Sequence, residues 1–172
     1  EFLLSTPYDI STLNISLPRS RVIDDRDVFF RPGGLRYYVM SSSAIYTYNT
    51  PSPWDIGSGE RDSSLEETLS FFDVIDTSGI NFRSMQLKLD GTELYVSAES
   101  NSNPENYIYQ FDLTEPWAVS TAVFKSQYQD LDTDNTTGEL KDFYINPNNG
   151  TDVLLSSQSK VFYYDIDAKL LS

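Results

Sequence analysis

Short runs of Val, Ile, Tyr and Phe recur along the whole chain, separated by turn-forming residues. The runs include Val28-Phe29-Phe30, Tyr37-Tyr38-Val39, Ile108-Tyr109-Gln110-Phe111 and Val161-Phe162-Tyr163-Tyr164. Between them lie Arg31-Pro32-Gly33-Gly34, Leu89-Asp90-Gly91 and Asn146-Pro147-Asn148-Asn149-Gly150. β-Branched and aromatic side chains fit a pleated, half-buried surface, and Gly, Asn and Asp supply the conformations of tight turns. The pattern predicts an all-β, hairpin-rich, antiparallel chain. One segment, residues 64–72 with Leu65, Glu66, Glu67 and Leu69, reads either as a short helix or as a charged loop running into a strand.

The runs fall into a repeat. Phe30-Arg-Pro-Gly-Gly-Leu-Arg-Tyr-Tyr-Val39 aligns with Leu87-Lys-Leu-Asp-Gly-Thr-Glu-Leu-Tyr-Val96, Gly under Gly and Tyr-Val under Tyr-Val. A third copy, Ile145 to Leu155, matches with one extra residue in the turn. Each copy is followed by a second strand and then a turn: Ile45-Tyr-Thr-Tyr before Pro53-Trp54-Asp55-Ile56, and Ile108-Tyr-Gln-Phe-Asp-Leu before Pro116-Trp117-Ala118-Val119. In the third copy Ala168-Lys169 stands in place of Pro-Trp, and Pro7-Tyr8-Asp9-Ile10 is a partial fourth copy of the turn. The spacings Gly34 to Pro53 and Gly150 to Lys169 are both 19, whereas Gly91 to Pro116 is 25, an insertion placed in the polar stretch 99–106. Periods of 57 and 59 between Gly34, Gly91 and Gly150 leave room for about four strands per unit. That predicts blades of a β-propeller rather than solenoid coils, with a β-sandwich as the competing architecture.

These residues carry a resemblance. Phe-x-Pro-x-Gly followed by Tyr-Val, then Ile-Tyr-x-Tyr, then Pro-Trp-Asp-Ile resembles a β-propeller repeat of bacteriophage structural and tail proteins and some bacterial surface proteins. The idealised form of that repeat is F-x-P-D-G-x-x-x-Y-V, then Y-Q-Y-D-L-S-T-P-W-D-I-S-T. Leu89-Asp90-Gly91-Thr92 with Tyr95-Val96, and Tyr109 to Leu113 with Pro116-Trp117, match it best. The resemblance implies about three four-stranded antiparallel blades with an N-terminal partial blade, an incomplete ring. The expected division is residues 1–17 (partial blade or outer strand), 25–75, 80–128 and 140–172 (lacking its outer strand).

Within such a blade, Val28 and Phe30, Met85 and Leu87, and Phe143 and Ile145 are expected to face neighbouring blades. Gly34, Gly91 and Gly150 are expected to allow positive φ in the first turn. Pro53 and Pro116 would fix the turn to the outer strand, with Trp54 and Trp117 covering the blade edge. Leu13 to Leu17 could then supply the outer strand missing from the last blade. Three blades are too few to close a ring, so either two copies assemble into six blades or further blades lie in a longer chain, and the sequence reading favours the latter.

Composition narrows the chemistry. The 172 residues include no His and no Cys, which removes Ser-His-Asp and Cys-His catalysis, thiol redox chemistry and zinc fingers. The balance of 26 acidic against 12 basic residues, a net charge of −14, repels a phosphate backbone and argues against nucleic-acid partners. No apolar run is long enough to span a bilayer as a helix.

Candidate sites are few. Asp130, Asp132 and Asp134 alternate like oxygen ligands of a calcium loop, but Asn135 and Lys141 stand where such a loop has Gly and Glu; a solvated acidic turn is the competing reading. Calcium is therefore the sole candidate ion, and no other cofactor is expected. Asp24-Asp25-Arg26-Asp27 reads as a loop whose Arg offsets its acids. Asn14, Asn135 and Asn149 head glycosylation sequons at about the chance number. The insertion after Ser97, with Glu99, Asn101, Asn103 and Asn106, is the best surface for a partner. No catalytic residue is assigned, since 26 carboxylates make fortuitous pairs easy.

The expectation is a non-enzymatic structural and interaction module. Its most concrete form is a phage virion component (tail, fibre or decoration protein) in the virion or outside the cell, serving assembly or attachment to a host surface. Its partners would be other virion or surface proteins, further blades, or a host glycan. The alternatives are a bacterial cell-surface propeller binding glycans or calcium, and a propeller hydrolase using paired carboxylates.

Overall fold

The Gly34 and Gly91 turns of the repeat close hairpins, and successive strands build antiparallel sheets. The computed structural model describes residues 3–4, 13–14, 26–61, 68–101, 106–129, 140–146, 151–157 and 161–165. The first sheet is a meander of β3 (Asp27–Phe30), β4 (Arg36–Met40) and β5 (Ala44–Asn49). The outer edge of β5 is shared by two short strands, β6 (Glu60–Arg61) against Tyr48 and Asn49, and β7 (Thr68–Ser70) against Ala44 to Tyr46. The second sheet is the regular four-stranded meander of β8 (Ile80–Leu87), β9 (Glu93–Ser100), β10 (Asn106–Leu113) and β11 (Ala122–Gln129). The third comprises β12 (Leu140–Ile145), β13 (Asp152–Ser157) and β14 (Val161–Asp165). A separate small pairing joins β1 (Leu3–Leu4) to β2 (Leu13–Asn14). The protein is all-β; the helical segments among the described residues are one α-helical turn, α1 (Phe71–Val74), after β7, and two 3-10 turns at Ile56–Ser58 and Val119–Thr121.

The repeat seen in the sequence is a repeat of hydrogen bonds. Arg31 N–H donates to Arg36 O at 2.9 Å, Lys88 N–H to Glu93 O at 3.0 Å and Asn146 N–H to Asp152 O at 2.8 Å. The third closure spans one more residue, as the alignment requires. Strand registers agree: Tyr37 pairs with Tyr48, Leu94 with Phe111 and Val153 with Tyr164.

The sheets stack face to face in chain order, and alternation along each strand assigns one face to each neighbour. Tyr38, Met40 and Ile45 of the first sheet pack with Leu94, Val96 and Phe111 of the second. From the opposite face of the second sheet, Tyr95, Ile108 and Tyr128 pack with Phe143, Ile145, Val153 and Leu155 of the third. A fully buried aliphatic or aromatic side chain in such a seam contributes roughly 1.5–3 kcal/mol. The first strands β3, β8 and β12 approach one another across the seams, β12 also lies near β9, and β7 meets the turn at Val119–Thr121.

Two expectations are corrected. Val28 does not build an inter-sheet core: it is exposed, and Phe29 turns toward the second sheet in its place. Met85, Leu87, Phe143 and Ile145 are buried as expected, and Phe30 packs against Tyr37 and Trp54. Leu13 and Asn14 pair with β1, not with the last sheet, and among the described residues nothing pairs with the outer edge of β14. Of the two readings of residues 64–72, the one that runs into a strand holds at Thr68–Ser70, and a helical turn begins only at Phe71; residues 62–67 lie outside the described residues.

Candidate functional site

The Pro-Trp turns are built alike. Asp55 N–H donates to Ser52 O at 3.3 Å and Ala118 N–H to Glu115 O at 3.1 Å, with Pro53 or Pro116 second in the turn and Trp third. Trp54 and Trp117 have φ of +63° and +70°, the left-handed conformation that a type II turn demands at its third position and that Gly ordinarily supplies. Each Trp N–H donates to the glycine carbonyl of its own repeat, Trp54 to Gly34 at 2.7 Å and Trp117 to Gly91 at 2.8 Å. The indoles then lie on those glycines: a Cβ at Gly34 would meet the Trp54 ring at 2.6 Å, and one at Gly91 the Trp117 ring at 2.4 Å. Gly34 and Gly91 also have φ of +70° and +76°, so they serve both the hairpin and the indole. Gly150 lies outside the described residues.

Polar ties stitch the sheets across their seams. Tyr38 Oη donates to the Trp117 carbonyl at 2.7 Å in a buried position, and the Arg31 guanidinium sits 5.2 Å from the Trp117 ring centre. Asp27 takes its own strand's Val28 N–H on Oδ1 and Met85 N–H of the second sheet on Oδ2, both at 2.7 Å. Burial pushes the Asp27 carboxyl above its ordinary value, against the lowering effect of those two amides. Gln86 pairs with the backbone of Ile145 in both directions: Nε2 donates to the carbonyl at 2.6 Å and Oε1 accepts the amide at 2.8 Å.

A polar cluster occupies one end of the second sheet. Gln110 Nε2 donates to Glu93 at 2.8 Å, while Gln110 Oε1 accepts from Tyr128 at 2.8 Å and Ser126 at 2.9 Å. Tyr95 Oη donates to Glu93, and Lys88 approaches Glu93 at 3.2 Å. Lys125 reaches Asp112 at 2.9 Å. Burial, then Glu93, pushes the Tyr95 phenol far above its ordinary value. Burial alone would raise Glu93, but its bonds to Tyr95, Gln110 and Lys88 prevail and hold it low. These groups satisfy one another, so the cluster ties strands together.

The expected partner surface divides. Glu99 is inside β9 and pairs with Arg83; Asn101 follows the strand and meets Asn81; Asn106 opens β10 and is buried. Asn103 and the calcium candidates Asp130, Asp132 and Asp134 lie outside the described residues. Among the described residues no cluster of three metal-ligating side chains occurs. The loop reading of Asp24 to Asp27 is corrected at its end: Asp27 opens β3 and ties it to the second sheet, and Arg26 donates to the Phe82 carbonyl at 2.8 Å. Gln86 was not singled out, although its place one residue before the repeat's Leu87, like that of Asp27 three before Phe30, was a usable signal.

No family model matches this chain, and no curated protein matches it. Solved structures similar to it include Kluyveromyces lactis Hsv2, at 10% identity over 83% of this chain and 33% of that one, TM-score 0.46. A form of KlHsv2 with loop 6CD replaced by a Gly-Ser linker gives 11% identity over 83% and 35%, TM-score 0.45. A chain of the yeast heterotrimeric Nup82-Nup159-Nup116 nucleoporin complex gives 14% identity over 88% and 32%, TM-score 0.41. The chain thus spans about a third of the length of each.

Proposed function

We propose that the chain is a run of three consecutive β-propeller blades and that it works as a non-enzymatic structural and interaction module. The observation that carries this reading is the recurrent seam, in which the back face of one sheet packs on the front face of the next while the first strands approach each other. Radial stacking of four-stranded meanders around their first strands is the construction of a propeller. The described polar groups of the second sheet serve as ties between strands and sheets, a use suited to a rigid scaffold.

The most concrete setting is a phage virion, as a tail, fibre or decoration protein aiding assembly or host-surface attachment. What supports it is the residue pattern around Gly34, Gly91, Trp54 and Trp117. Fold alone does not assign function, so the test is direct. Antibodies against the chain should label purified virions, and the chain should bind host-surface glycans on an array without turning them over. Hydrolysis of a bound glycan that a single Asp or Glu substitution abolishes would overturn the reading, as would absence of the chain from particles.

A further inference from the structure

We draw no further inference here: the strongest candidate, the exposed apolar back face of the third sheet around Leu154, Val161 and Tyr163, carries nothing because nothing among the described residues shows what covers it.

Discussion

The indole of Trp117 rests on the α-carbon of Gly91, close enough that a methyl group there would lie 2.4 Å from the ring. Gly91→Ala therefore incurs both left-handed backbone strain and overpacking, a loss of about 2–4 kcal/mol. Gly33 has φ of +93° but open space around it, so Gly33→Ala incurs only the strain, about 1–2 kcal/mol. Urea titration of both variants measures the difference. Equal losses would remove the indole from the explanation.

The two tryptophans differ in surroundings despite identical turns: Trp117 is 8% exposed and Trp54 is 51% exposed. Trp54→Phe leaves Trp117 as the sole emitter, and its fluorescence should resist iodide and acrylamide. Trp117→Phe leaves Trp54, which should be quenched readily. Trp117→Ala should lose about 3–5 kcal/mol and Trp54→Ala distinctly less. Equal quenching constants would contradict the burial difference.

Gln86 holds the third sheet by its backbone. Gln86→Leu leaves the Ile145 amide and carbonyl without that partner inside the seam, which should lower stability by about 1–3 kcal/mol. Hydrogen exchange should accelerate first in β12 and β13. Acceleration spread evenly over all sheets would refute a local tie.

Asp27 and Glu93 shift stability with pH in opposite directions. Burial raises the folded Asp27 carboxyl above 3.8, so the folded state keeps a proton that the unfolded chain has lost. Its contribution is then most favourable at low pH, falls as pH rises from 3.8 to the raised value, and is flat beyond. Glu93 is held below 4.5, so its contribution is present above 4.5 and is lost as pH falls through the lowered value. Denaturation from pH 2.5 to 7 should show the falling component vanish in Asp27→Asn and the acid-side loss shrink in Glu93→Gln.

Much of this architecture was legible because the repeat is periodic in residues that also set backbone geometry. Gly34 and Gly91 marked the hairpins, and the aromatic runs marked the strands, since turn conformation and strand alternation are local properties. Facing was less legible. Val28 sits on the same strand side as Phe30, yet it lies on an end sheet with no described neighbour over it, a circumstance no local pattern records. The role of Trp54 and Trp117 was read as edge cover; their left-handed φ and their contact with glycines 20 and 26 residues earlier are long-range facts. Asp27 read as part of an acidic loop and Gln86 as nothing distinctive, because their partners, Met85 and Ile145, are some 60 residues away.

Trp117 is gripped from two directions, by Gly91 of its own sheet and through its carbonyl by Tyr38 of the sheet before. The third repeat has Ala168-Lys169 where that grip would be made, and Tyr95, the counterpart of Tyr38 on the sheet before it, donates to Glu93 of its own sheet instead. Mechanical resistance is therefore graded along the chain. A pulling force shared by all three sheets should detach the C-terminal one first, leaving the first and second as a load-bearing pair.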